Sequence, residues 1–134
     1  MTELEEFARD TLAKQPFSVL LGTELTSISP GQVELALDIR PELQQQHGFA
    51  HGGLVSYLAD NAITFAAGSL LRDSLTVEFK INYVRPGVGE RLIARATVVH
   101  AGKRQAVARC DVFAVSASAE RLCAVAQGTV SKLG

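Results

Sequence analysis

The chain has no tryptophan, one methionine, two cysteines and four prolines among its 134 residues, and aromatic side chains make up only 6% of it. A core with so few rings has to be assembled from Val, Leu, Ile and Ala. Cys110 and Cys123 both lie inside apolar alternating segments, which predicts buried free thiols rather than a disulfide framework. An excess of charge of one sign is also missing, since 13 Lys and Arg face 14 Asp and Glu. Such a balance excludes the basic surface that a nucleic-acid partner requires. The acidic start MTELEEFARD lacks the basic-then-apolar order of a signal peptide, so the expected compartment is the cytoplasm. Metal-ligand spacing is poor. His100 is isolated, while His47 and His51 stand among glycines with no third ligand in view, so neither a metal nor a cofactor is expected.

What is present reads as one domain over residues 1–134, with a helical N-terminal segment over 1–22. Leu4, Phe7, Ala8 and Leu12 recur at helical spacing over residues 2–14, and Pro16 is expected to end that helix. After the turn Ser29-Pro30-Gly31 the period becomes two. Val33, Leu35, Leu37 and Ile39 alternate with Gln32, Glu34 and Asp38, a half-buried strand.

Residues 52–71, GGLVSYLADNAITFAAGSLL, then carry a single charge in twenty positions. A helix apolar on every side is expected to be buried on every side. The length would also cross a bilayer, but Asp60 and Asn61 at its centre and the strand-like sequence behind it argue for the core of a globular domain, not a membrane span. Four strands follow. Val77, Phe79, Ile81 and Tyr83 alternate with polar residues, and residues 92–99, 105–115 and 122–130 come after turns at 85–89, 100–103 and 116–119. Alanines at 94, 96, 106, 108, 124 and 126 let a helix approach the sheet closely. One strand, a long helix and four strands in a meander predict an α+β domain with the helix on one sheet face.

The chemistry-bearing residues gather around the start and middle of the helix. Gly52 and Gly53 would leave its first N–H groups open to a developing oxyanion, although paired glycines also suit a tight turn. Asp60 has no Lys or Arg within one helical turn. A carboxylate in that setting is either a hydrogen-bond acceptor for a neighbouring loop or a nucleophile or general base. Eight residues separate Gly52 from Asp60, or ~12 Å along a helix axis. One carbonyl cannot touch both, so if both act, a second copy of the helix supplies the carboxylate and a two-fold dimer follows.

His51-Gly52-Gly53, Leu58-Ala59-Asp60-Asn61, Phe79-Lys80-Ile81-Asn82-Tyr83-Val84-Arg85-Pro86-Gly87 and Gly102-Lys103 stand in register and order over roughly residues 45–130. Together they resemble the hotdog-fold thioesterases of the phenylacetate-degradation type. That resemblance implies a long central helix wrapped by an antiparallel β-sheet, homodimers that often pair into tetramers, sites between protomers, and hydrolysis of aryl- or medium-chain acyl-CoA to free acid and CoA. It further implies Asp60 as the catalytic carboxylate and Gly52 as the N–H donor to the thioester carbonyl. His51 would orient this turn or contact the carbonyl. Thr76, ten residues before Pro86, would position water. Gln45 stands where family members commonly have Asn, six residues before the motif histidine, and His47 is an alternative to it. Substrate contacts are expected from Gly53, His47, Asn61 and Thr64, and CoA phosphates would meet Arg85, Lys103 and Arg104 in turns. Two other readings stay open on the same fold, a non-catalytic acyl-CoA binding module and an acyl dehydratase or hydratase that sets His51 against Asp60.

Overall fold

A computed structural model describes residues 1–134. Helix α1 (Glu3–Ala13) opens at Thr2, whose hydroxyl accepts from the Glu5 N–H at 3.1 Å, and three glutamates fill its first turn where the helix dipole favours them. Pro16 does not merely end this helix. It stands at the first position of a second, α2 (Pro16–Leu21), where a missing N–H costs nothing, and Gly22 at φ 73° closes that helix.

Six strands follow: β1 (Glu24–Ser29), β2 (Gln32–Asp38), β3 (Ser74–Tyr83), β4 (Arg91–Ala101), β5 (Gln105–Ser116) and β6 (Ala119–Lys132), with α3 (Gly52–Leu71) between β2 and β3. They form one antiparallel sheet in the order β1-β2-β4-β5-β6-β3. The expected five strands are therefore six. β1 escapes the alternation rule because its register shifts between Leu25 and Ser27, which sets its core-facing Leu25 and Ile28 three apart. The expected meander holds only for β4, β5 and β6. β3 pairs with β6 at the far edge, so the turn at 85–89 is a crossover, not a hairpin.

Helix α3 packs against all six strands. It is long and apolar enough to cross a membrane, and here it is the core helix of the sheet. The six alanines of β4, β5 and β6 are all buried beneath it. At Gly128 a Cβ would lie 3.0 Å from the Glu78 carbonyl oxygen and 3.5 Å from Ile63, so glycine is what lets β3, β6 and α3 meet. The expectation of burial on every side needs correction. Ser56, Tyr57, Asp60, Asn61, Thr64 and Gly68 form a half-buried stripe along α3, with Asp60 and Thr64 against the edge strand β3 and Tyr57 and Asn61 against α2. The arrangement is the expected hotdog: a long helix against a wrapped antiparallel sheet.

Cys110 and Cys123 are buried and unpaired, as expected. Burial pushes their thiols up, to about 12 for Cys110, where Asp111 adds to it, and to about 11 for Cys123.

Candidate active site

The start of α3 is fixed by two neighbouring segments. The Ala50 N–H donates to the Gly87 carbonyl at 2.9 Å and the His51 N–H to the Leu43 carbonyl at 3.0 Å. His51 is the N-cap, and its Nδ1 accepts from the Gly53 N–H at 2.8 Å. An accepting Nδ1 carries no proton, so a neutral His51 holds it on Nε2. The folded-back imidazole also explains Gly53, since a Cβ there would lie 3.0 Å from Nδ1. The N–H groups of Leu54 and Val55 donate to the His51 carbonyl. Of the first four N–H groups of the helix, only that of Gly52 has no acceptor in the chain. Gly53 is thus engaged in capping rather than free for a substrate, and His51 orients the turn.

Gln45 holds the preceding loop. Its Oε1 accepts from the N–H groups of His47, at 2.6 Å, and Phe49, at 3.2 Å. Gln45 also lines an open cleft of about 500 Å³ together with Phe49, Gly52, Val55, Tyr83 and Arg85. His47 is exposed, tilted against Phe49, and does not line that cleft. A Cβ on Gly52 would meet nothing nearer than Tyr83 at 3.8 Å, so packing does not require glycine there.

Asp60 sits in a second place, at the middle of α3. The Thr76 hydroxyl donates to Asp60 Oδ1 at 2.6 Å. Thr64 Oγ1 lies 2.9 Å from Thr76 Oγ1 and donates to the Asp60 carbonyl at 2.9 Å. Two hydroxyl protons serve three contacts, so Thr64 shares its one proton between Thr76 and the helix backbone. Asp60 Oδ2 has no partner, and no ion pair of the chain involves Asp60. What aims Thr76 inward is a bulge. The β3–β6 register shifts between Thr76 and Glu78, leaving Val77 unpaired and 55% exposed where alternation predicted it in the core.

Other expected residues fall elsewhere. The Asn61 amide donates to Gln15, Ser18 and Tyr57, part of a network in which the Tyr57 hydroxyl donates to Ser18 and Ser18 to Gln15. Thr23 lies 2.7 Å from the same Tyr57 oxygen. Sequence reasoning missed this tie between α2 and α3. Its one local signal was polar residues at 15, 18 and 23 in a segment that otherwise reads as apolar. Arg85 stands at the mouth of the Gly52 cleft, whereas Lys103 and Arg104 lie at the opposite end of the sheet, in the β4–β5 turn.

A backbone donor at a helix start, with a carboxylate farther along that helix held by a threonine of the edge strand, suits acyl transfer to water. Residues 47–118 match the family model of the Thioesterase superfamily. The chain belongs to the thioesterase superfamily. It is therefore a hydrolase by family. A crystal structure of a thioesterase family protein from Silicibacter pomeroyi overlays on this thioesterase with a TM-score of 0.94 and 38% identity, covering 98% of this chain and 99% of that one. The acyl-coenzyme A thioesterase PaaI of Escherichia coli is 31% identical over 88 residues, 65% of this chain and 63% of that protein. Its structure shares the fold, with a TM-score of 0.88 over 98% of this chain and 94% of the other at 23% identity. The medium/long-chain acyl-CoA thioesterase YigI of Escherichia coli is 30% identical over 72% of this chain and 74% of its own length.

Proposed function

We propose that this thioesterase hydrolyses aryl- or medium-chain acyl-CoA to the free acid and CoA, at sites completed by a second copy of the chain. The observation that carries the reading is the pairing of one uncommitted donor with one uncommitted acceptor. The Gly52 N–H and Asp60 Oδ2 are both free of partners, and they belong to one helix at positions ~12 Å apart along its axis. Asp60 does not line the Gly52 cleft. A thioester whose carbonyl oxygen accepts from Gly52 of one protomer would meet Asp60 of its partner.

Asp60 Oδ2 serves either of two routes. It takes a proton from water as the water oxygen bonds to the carbonyl carbon, or it bonds to that carbon itself and the anhydride is then hydrolysed. In both, the C–S bond breaks and CoA leaves as thiolate. Thr76 fixes the carboxylate by its other oxygen, Thr64 steadies Thr76, and Gly52 stabilises the oxyanion. Gln45, through its free amide, and Arg85 line the approach, Arg85 being placed for CoA phosphate. Residues 1–134 form one catalytic domain on this reading, and a cytoplasmic setting with homodimers or dimer-of-dimers tetramers goes with it.

Free-thiol release from a panel of acyl-CoA thioesters, with wild type and Asp60→Asn side by side, tests it. Turnover that falls by orders of magnitude in the variant is expected. Tight acyl-CoA binding without turnover by wild type would instead make the protein a binding module.

A further inference from the structure

Tyr83 is the last residue of β3, and its side chain is more than half exposed, so burial in the core does not explain its place. Its hydroxyl donates to the Gly52 carbonyl at 3.2 Å, and its ring is the nearest group to where a Cβ on Gly52 would stand, at 3.8 Å. We propose that Tyr83 is a positioning residue, which through this bond aims the free Gly52 N–H at the thioester carbonyl. The proposal rests on the thioesterase reading above and deepens it. Tyr83 itself transfers no proton and forms no bond to the substrate.

The need for such a residue follows from Gly52. Glycine has no side chain to limit φ and ψ, and the first residue of a helix frays readily. An oxyanion donor is effective when its N–H already points at the developing charge. The peptide unit that carries the Gly52 N–H includes the His51 carbonyl, which accepts from Leu54 and Val55 at 2.9 and 3.2 Å. The next unit joins the Gly52 carbonyl to the Gly53 N–H, which donates to His51 Nδ1. These contacts all lie within residues 51–55, and the bonds to Leu43 and Gly87 fix only the chain before Gly52. Tyr83 is the one side chain that hydrogen-bonds to Gly52, and it reaches in from the sheet.

The footing of Tyr83 is firm. It stands opposite Ala124 of β6, and the next two N–H groups, of Val84 and Arg85, both donate to the Cys123 carbonyl, at 2.9 and 3.3 Å. The Gly87 carbonyl then takes the Ala50 N–H. Residues 83–87 therefore grip the entry to α3 twice, once before Gly52 and once at it. Strand β3 in this way holds both groups assigned to the reaction. Thr76 donates to Asp60 near one end of the strand, and Tyr83 donates to Gly52 at the other. Side chains placed by a strand hold a site more precisely than those placed by a loop. A phenylalanine at position 83 would wall the cleft equally well, so the hydroxyl is what the position uses.

Tyr83→Phe tests this, because it removes one oxygen from a half-exposed ring. With the best acyl-CoA of the panel, kcat should fall about five- to tenfold, the rate equivalent of one neutral hydrogen bond. KM and Tm should stay close to wild type. The direct readout is the carbonyl stretch of a bound carbon-13 ketone analogue of that substrate, with a methylene in place of sulfur, followed by isotope-edited infrared spectroscopy. In wild type the band should be narrow and lie below its frequency in water. Tyr83→Phe should move it back toward the water value and broaden it, whereas Thr76→Val, acting on the carboxylate, should leave it in place. Wild-type kcat in Tyr83→Phe, or a lower kcat with an unmoved band, overturns the proposal. So does a band that Thr76→Val displaces equally, or a loss of kcat matched by a fall in Tm, since either would make Tyr83 a merely structural residue. A wild-type band at the water frequency removes Gly52 as donor and this proposal with it. No turnover on any substrate, or turnover that survives Asp60→Asn, overturns the thioesterase reading itself.

Discussion

The Thr76 hydroxyl lies 2.6 Å from Asp60 Oδ1, which ties an edge strand to the middle of the core helix. This is a charge-assisted hydrogen bond in a half-buried place, the kind whose loss leaves an acceptor under-satisfied. Thr76→Val keeps shape and strand propensity but removes the proton donor. It should lower kcat about 10- to 100-fold, the equivalent of ~1.5–3 kcal/mol for a bond to a charged group. Thr76→Ser should restore most of it. Steady-state kinetics on the three proteins decide, and wild-type kcat in the valine variant would remove Thr76 from the site.

Gly52 separates two reasons for being glycine. Proline suits the first position of a helix, and His51 at ψ 138° already has the extended backbone that a following proline demands. Gly52→Pro should therefore fold while losing the one free N–H, and kcat should drop by roughly 100-fold or more. Gly52→Ala keeps the N–H and has room for its methyl in the free protein. A loss in that variant confined to KM would report how closely substrate approaches the backbone.

Trans-complementation tests the shared site. In a mixed dimer of Asp60→Asn and Gly52→Pro chains, one of the two sites regains both an intact donor and an intact carboxylate. Mixing the two inactive proteins should recover activity toward one quarter of wild type at equal, random pairing. No recovery after proven subunit exchange would place the whole site in one chain.

On the outer face of the sheet Arg95 donates to Glu34 at 2.7 Å and to both oxygens of Glu120 at 2.8 and 2.9 Å. Burial tends to raise the Glu34 carboxyl, but hydrogen bonds from Arg95 and Thr26 outweigh it and hold the group below its ordinary value. Arg95 does the same for Glu120. Carboxylates lowered on folding add stability above the ordinary Glu value of ~4.3 and lose it as pH falls through their folded values. Arg95→Ala should cost about 1 kcal/mol near neutral pH, with the ions partly exposed, and markedly less at pH 3. Denaturant melts of both proteins at the two pH values would reveal a constant difference if the network contributed nothing.

The cysteines allow a test of the core. With thiols pushed to about 12 and about 11, neither Cys110 nor Cys123 is ionised near neutral pH. The native protein should react with a thiol-specific chromogenic reagent only as fast as it unfolds, and both thiols should react at once in denaturant. Rapid labelling of one thiol in the native state would mean that the floor of the Gly52 cleft, where Cys123 lies, opens.

Much of this molecule follows from the sequence alone. Helix α3 spans Gly52–Leu71, as its mostly apolar twenty residues required, because no proline interrupts them and a run of that length does not alternate as a strand. The buried alanines beneath it, the free thiols and the isolation of Asp60 are equally local facts. Tertiary structure alone decided the rest. Strand partners are chosen by contacts distant in the chain, so the placement of β3 beside β6 had no local signal. Bulges break the two-residue period, which hid β1 and turned Thr76, rather than Val77, toward Asp60. Hydrogen-bond competition decided which N–H at the helix start is free, because only the folded-back His51 ring shows that Gly53 is engaged and Gly52 is not.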